Sequence, residues 1–187
     1  MAFTRTLQRS ALSIARHFSA VVATVLFVTP ALAQSGTSSA NATTETFRDW
    51  IVRCGVSTSN GSQVRICQMT QELTRSTDNR RVLNVTIQKN DSGAGTTRLT
   101  TPLGVALPQG VAISVEDNGL ARFQFITCVV GGCIAQGVLE GPALQALQDG
   151  AEAQVTMINI STRAPLALNV SLLGFTAAWE RLGELSD

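Results

Sequence analysis

The stretch Cys54-Gly55-Val56-Ser57-Thr58-Ser59-Asn60-Gly61-Ser62-Gln63-Val64-Arg65-Ile66-Cys67 decides the fold class, because it spells a β-hairpin closed by its own cysteines. Asn-Gly is the strongest two-residue hairpin signal. A type I′ turn needs positive φ at both central positions, and these residues reach it with least strain. With Asn60-Gly61 as the loop, Ser59 closes on Ser62, and counting outward sets Cys54 directly opposite Cys67. The two kinds of antiparallel pair alternate, and this one falls on a non-hydrogen-bonded position, where Cα atoms approach to about 4.5 Å. A disulfide fits there without backbone movement.

The same logic extends along the chain. Cys128-Val129-Val130-Gly131-Gly132-Cys133 reads as a second stapled hairpin, in which Gly131 and Gly132 can supply the positive φ of a tight turn. Four cysteines allow three pairings; the local one, 54–67 with 128–133, is the pairing these two hairpins favour. Short apolar runs broken by Gly, Pro, Asn and Asp mark further strands at Thr46–Cys54, Val64–Leu73, Val82–Lys89, Thr96–Thr101, Val111–Val115, Leu120–Cys128, Cys133–Leu139, Gln154–Ile160 and Leu166–Leu172. Pro142, Leu144, Leu147 and Gly150 outline one short helix, and Phe175 to Leu185 a C-terminal one with Ala178, Leu182 and Leu185 on a single face. Trp50 and Trp179 read as core aromatics. The expected architecture is all-β: an antiparallel β-sandwich with two disulfide-stapled hairpins and one or two short helices.

The beginning of the chain reads as an export signal. Arg5, Arg9 and Arg16 precede the apolar run Ala20 to Val28, and Ala31-Leu32-Ala33 is a small-x-small cleavage site before Gln34. The run is shorter than the about 20 apolar residues a bilayer core requires. The expected divisions are a signal peptide at 1–33, cut between Ala33 and Gln34, a polar disordered leader at 34–46, and one domain at 47–187. Loss of three arginines takes the 14 basic residues to 11 against 13 acidic ones, a net charge of −2. That leaves no clustered basic face for nucleic acid and no later membrane span. Paired cysteines fit an oxidising compartment: the periplasm, the outer envelope or the medium.

Catalytic chemistry finds little to work with. The only histidine, His17, lies in the signal segment. Zinc ligation suits neither the long spacing between Cys54 and Cys67 nor exported thiols. There is no C-x-x-C redox motif and no G-x-S-x-G nucleophile elbow. The only lysine, Lys89, stands beside the turn Asn90-Asp91-Ser92-Gly93, and Glu116-Asp117 reads as a solvated turn ahead of Asn118-Gly119. Gly104 and Gly110 flank Pro108 without the strand–turn–helix–Lys pattern of a phosphate loop. No catalytic, cofactor or metal residue is assigned, and no cofactor is expected.

Several stretches carry a family likeness. Thr101-Pro102-Leu103-Gly104-Val105, Leu107-Pro108-Gln109-Gly110-Val111, Cys128 to Ala135 and Val170 to Ala178, with Trp50 to Cys54 and Cys67-Gln68-Met69, resemble the invasion-associated locus B family in order and spacing. The resemblance implies a small exported bacterial β domain of the periplasm or outer envelope. Some members are linked to host-cell entry and hence to virulence. It implies a non-enzymatic binding or interaction module whose partner is an envelope or host-cell surface protein, with peripheral outer-membrane association as a further expectation. It carries over no catalytic residue. The alternatives are a periplasmic assembly or chaperone factor, which needs an exposed strand edge for β-addition, and a thiol-redox helper.

Overall fold

The computed structural model describes residues 42–59 and 61–186. The expected signal peptide, its cleavage site at Ala33 and Gln34, and the leader as far as residue 41 lie outside them. Ten strands follow: β1 (Thr43–Phe47), β2 (Trp50–Ser59), β3 (Ser62–Thr74), β4 (Arg81–Lys89), β5 (Gly95–Thr101), β6 (Val111–Val115), β7 (Asn118–Val129), β8 (Gly132–Leu139), β9 (Glu152–Ile158) and β10 (Pro165–Ser171). Two helices join them, α1 (Gly141–Asp149) before β9 and α2 (Phe175–Ser186) at the end.

The strands form one antiparallel ladder in the order β1-β2-β3-β4-β5-β8-β7-β6-β9-β10. It folds over on itself at β7. The first half of β7 pairs with β6, from Asn118 opposite Val115 to Phe123 opposite Val111. Its second half pairs with β8, from Gln124 opposite Gln136 to Val129 opposite Gly132. Bulges interrupt both pairings, at Leu120 and Ile126, and let the strand turn from one layer into the other. The result is the expected sandwich.

Period-two alternation builds the core. Trp50, Val52 and Cys54 on β2, Cys67 and Met69 on β3, and Leu83, Val85 and Ile87 on β4 face Ala153, Val155 and Met157 of β9 and Val170 of β10. Helix α2 adds Phe175, Ala178, Trp179 and Leu182 to the same core. Phe175 meets Trp50 edge-to-face at 5.1 Å, the arrangement ring quadrupoles prefer. Helix α1 carries Pro142 in its first turn and buries Leu144 and Leu147, as its sequence predicts.

Two local readings need correction. The polar leader does not reach residue 46 as disordered chain, because Thr43 to Phe47 pairs with β2 as a strand. The single strand expected over Thr46–Cys54 is likewise broken by the tight turn Arg48-Asp49, in which Arg48 takes φ 56°. Asp49 is a common turn residue but Arg48, at positive φ, is not; the hairpin follows from the pairing of Phe47 with Trp50. In the second stapled hairpin the loop is Val130-Gly131, and only Gly132 of the two glycines has positive φ, at 137°.

Candidate functional site

Both disulfides are present. Cys54–Cys67 and Cys128–Cys133 each join directly opposite strand positions with Cα atoms 4.0 Å apart, the close spacing of a non-hydrogen-bonded pair. The first bridge clamps the base of an arm. Beyond Cys54 and Cys67, residues Gly55–Ser59 of β2 and Ser62–Ile66 of β3 pair with each other alone among the described residues.

The other residues weighed in sequence go to structural places. Lys89 sets its ammonium 5.3 Å from the ring centroid of Trp179, a cation–π contact tying β4 to α2. Glu116 and Asp117 are the two loop residues between β6 and β7, with φ 48° and 63°. Among the described residues no group of three or more His, Cys, Asp and Glu side chains could hold a metal ion, and no helix is long and apolar enough to cross a membrane.

The most developed recess lies at the open end of the sandwich, where β3, β4 and β10 end near the loop after β5. It is a groove of about 660 Å³ lined by Leu73, Val82, Leu103, Val105, Leu166 and Leu168, with Arg75 at its side. Mainly apolar walls with a few polar groups are the usual make-up of a binding site, and this volume is within the usual range. A second cleft of about 260 Å³ shares Arg75, Val82, Pro102 and Leu103 with it, and adds Arg80, Arg81 and the Val130-Gly131 turn. The charged side chains lining the two recesses are all arginines. Arg75 pairs with Asp78 at 3.3 Å and Arg81 with Glu72 at 3.4 Å, whereas Arg80 makes no ion pair among the described residues. Apolar tips stand beside the arginines: Leu103 is 58% exposed and Val130 fully exposed.

Two of the sequence stretches that carry the family likeness meet here. Pro102 to Val105 runs along the groove, and the Cys128–Cys133 hairpin abuts the adjoining cleft. Thr101 donates from Oγ1 to the Cys133 carbonyl at 3.2 Å, and Gly132 lies so near the Thr101 carbonyl that a Cβ would sit 2.2 Å from the oxygen. On the far side, Gln71 of β3 holds the end of β10 through both backbone groups of Ser171. Sequence reading passed over Gln71 and the three arginines. A signal for Gln71 was available: it occupies an inward position of β3, in step with Cys67, Met69 and Leu73, where only a bonded polar side chain belongs.

Electrostatics elsewhere serve the fold. Glu45 of β1 accepts two hydrogen bonds at 2.9 Å from Arg181 of α2, which also donates to Glu184 at 2.7 Å. Hydrogen bonding and charge from Arg181 hold the Glu45 carboxyl below the ordinary carboxylate range despite some desolvation, and the two carboxylates hold the Arg181 guanidinium more firmly protonated.

Comparison with known proteins agrees with this geometry. The family model described as "Invasion associated locus B (IalB) protein" matches residues 50–183. An invasion protein B homolog of Brucella abortus is 29% identical over 163 residues, 87% of this chain and 92% of its own length. Invasion protein B of Bartonella bacilliformis is 28% identical over 149 residues, 78% of this chain and 77% of its own. A crystal structure of invasion associated protein b from Bartonella henselae superposes with a TM-score of 0.69 at 29% identity, covering 76% of this chain and 96% of the other. By the extent of the family match and by its ten-stranded, twice-stapled sandwich, this chain belongs to the invasion associated locus B family.

Proposed function

We propose that the chain is a non-catalytic protein exported to the cell envelope, which acts by binding a partner at the envelope or at a host-cell surface. The observation that carries this reading is the open end of the sandwich, where an apolar groove and an arginine-lined cleft adjoin on a frame stapled by a disulfide. Two disulfides and no free cysteine among the described residues suit an oxidising compartment. The relatives are named for invasion, which makes a host-cell surface the natural place to look. Export is tested by mass spectrometry of the natively produced chain, which should begin at Gln34 and carry both local bridges. The binding reading is tested by retention of a partner from envelope or host-membrane extract. Retention from neither, together with hydrolysis of an envelope polymer by the purified chain, would rule it out.

A second reading, an assembly factor that takes hold of other strands, is favoured by the outer edge of β10, unpaired with any strand among the described residues.

A further inference from the structure

We infer that the outer edge of β10 is a peptide-binding edge, taking an extended segment that alternates apolar and polar residues and carries an acidic group. This rests on the binding reading above and gives that site its ligand class.

The direction of each backbone group on β10 follows from its ends. Leu172 donates inward to Ala151 beside β9. Ser171 points the other way: its N–H and C=O are taken by Gln71 Oε1 and Nε2 at 3.0 and 2.9 Å. In an antiparallel pair both groups of a residue point to one side and the sides alternate. Ala167 and Asn169 therefore turn their N–H and C=O away from β9, and these four groups have no partner among the described residues. The Gln71 amide does at Ser171 what a neighbouring strand would do, and the next two rungs are vacant. Side chains alternate in step: Ala167 and Asn169 are exposed, while Leu166 and Leu168 line the groove. An added strand would complete the ladder and pass apolar side chains into the recess, the usual mode of β-addition. Arg80, which has no ion-pair partner among the described residues, supplies the charge complement for an acid in the adjoining cleft, beside Arg75 and Arg81, which are held by Asp78 and Glu72 but keep exposed guanidinium edges.

The edge also lacks the usual protection. Between Leu166 and Ser171 it carries neither lysine nor proline, the common guards against unwanted pairing. Pro165 guards only its first position.

The test uses the full exported chain and a synthetic octapeptide alternating valine and threonine and ending in two glutamates. Binding should slow amide exchange at Ala167 and Asn169 and leave the already bonded Leu168 amide unchanged. Ala167→Pro removes one outward N–H without touching the β9 ladder, a placement edge strands tolerate, and should weaken the octapeptide about tenfold or more. Gln63→Ala, exposed on the arm beyond Cys54 and Cys67, should bind like the native chain. If the proline variant does not fold, Arg75→Glu serves instead: it should weaken the glutamate-ended peptide and strengthen a lysine-ended one. No binding of the octapeptide, equal binding to Ala167→Pro, or exchange protection on the Gly55–Ser59 arm would overturn the proposal. Capture of an envelope partner that survives Ala167→Pro defeats this site and leaves the broader binding reading standing; failure to capture any partner defeats that broader reading.

Discussion

Gln71 and Ser171, 100 residues apart, share a two-way amide clamp: the Gln71 side chain both accepts from and donates to the Ser171 backbone. Trp50 Nε1 donates to the same Ser171 carbonyl at 2.9 Å, so β2, β3 and β10 converge on one peptide group. The clamp fixes where β10 ends against β2 and β3.

Gln71→Leu keeps the bulk but strips the clamp. The Ser171 carbonyl retains Trp50, while the Ser171 N–H is orphaned. We expect a loss of about 1–3 kcal/mol, the penalty for an unsatisfied buried donor. Urea denaturation checks it, and exchange at the Ser171 amide should speed up in the variant. A midpoint equal to the native one would mean that the clamp holds nothing.

The Glu45–Arg181 pair makes a pH-dependent contribution. The Glu45 carboxyl is depressed in the folded chain, so its stabilisation is fully present above the unfolded carboxylate value. It is lost as pH falls through the lower folded value. The difference in melting temperature between the native chain and Glu45→Gln should be constant from neutrality down to about pH 5, then close as acid protonates Glu45. A difference that stays level into strong acid would contradict this.

Adjacent glycines should answer differently to the same change. Gly132→Ala puts a Cβ against the Thr101 carbonyl oxygen and requires φ 137° of an alanine; since the obstacle is backbone, we expect about 2 kcal/mol or more of destabilisation. At Gly131 the nearest atom to an added Cβ is Arg81 Nη2 at 3.5 Å, an ordinary contact. Gly131→Ala should stay within about 0.5 kcal/mol of native. Thermal melts of the two variants side by side decide it.

The two disulfides should rank by loop length. In the chain-entropy model, removing Cys54–Cys67, with a separation of 13 residues, costs about 3 kcal/mol, and removing Cys128–Cys133, with a separation of 5, about 2. Double serine variants and guanidinium unfolding measure both. A thiol-redox role for the second bridge makes a separate demand: its loss must abolish an activity while the fold persists. Mere earlier melting of that variant would leave it a hairpin staple.

A local signal failed at Asn118-Gly119. By turn chemistry those residues invite the loop between β6 and β7, yet the loop is Glu116-Asp117, with both residues at positive φ. An Asn118-Gly119 loop would pair Val111 with Ile126 and set Phe123 on the opposite face. The observed register puts Phe123 opposite Val111, where both are buried. Phe123 then lies over Gly137, so closely that a Cβ there would sit 2.1 Å from the ring. Burial of a phenyl ring is worth about 1.5–3 kcal/mol, comparable to a cost of about 1–2 kcal/mol for each non-glycine turn residue at positive φ, and Leu120 bulges out of the ladder to absorb the shift.

Local chemistry wrote much of this protein. The Asn60-Gly61 spacing set Cys54 opposite Cys67, short apolar runs between turn residues marked nine of the strand regions, and Pro142 with Gly150 bounded α1, because each depends only on residues close in sequence. Tertiary packing decided the rest: the Arg48-Asp49 turn, the bend of β7 between layers, and the meeting of Arg75, Leu103 and Leu168 around one groove. Those features join segments far apart in the chain, and they exist only once the core has closed over Phe123 and Trp50, with β10 at an edge of the ladder formed by the described residues.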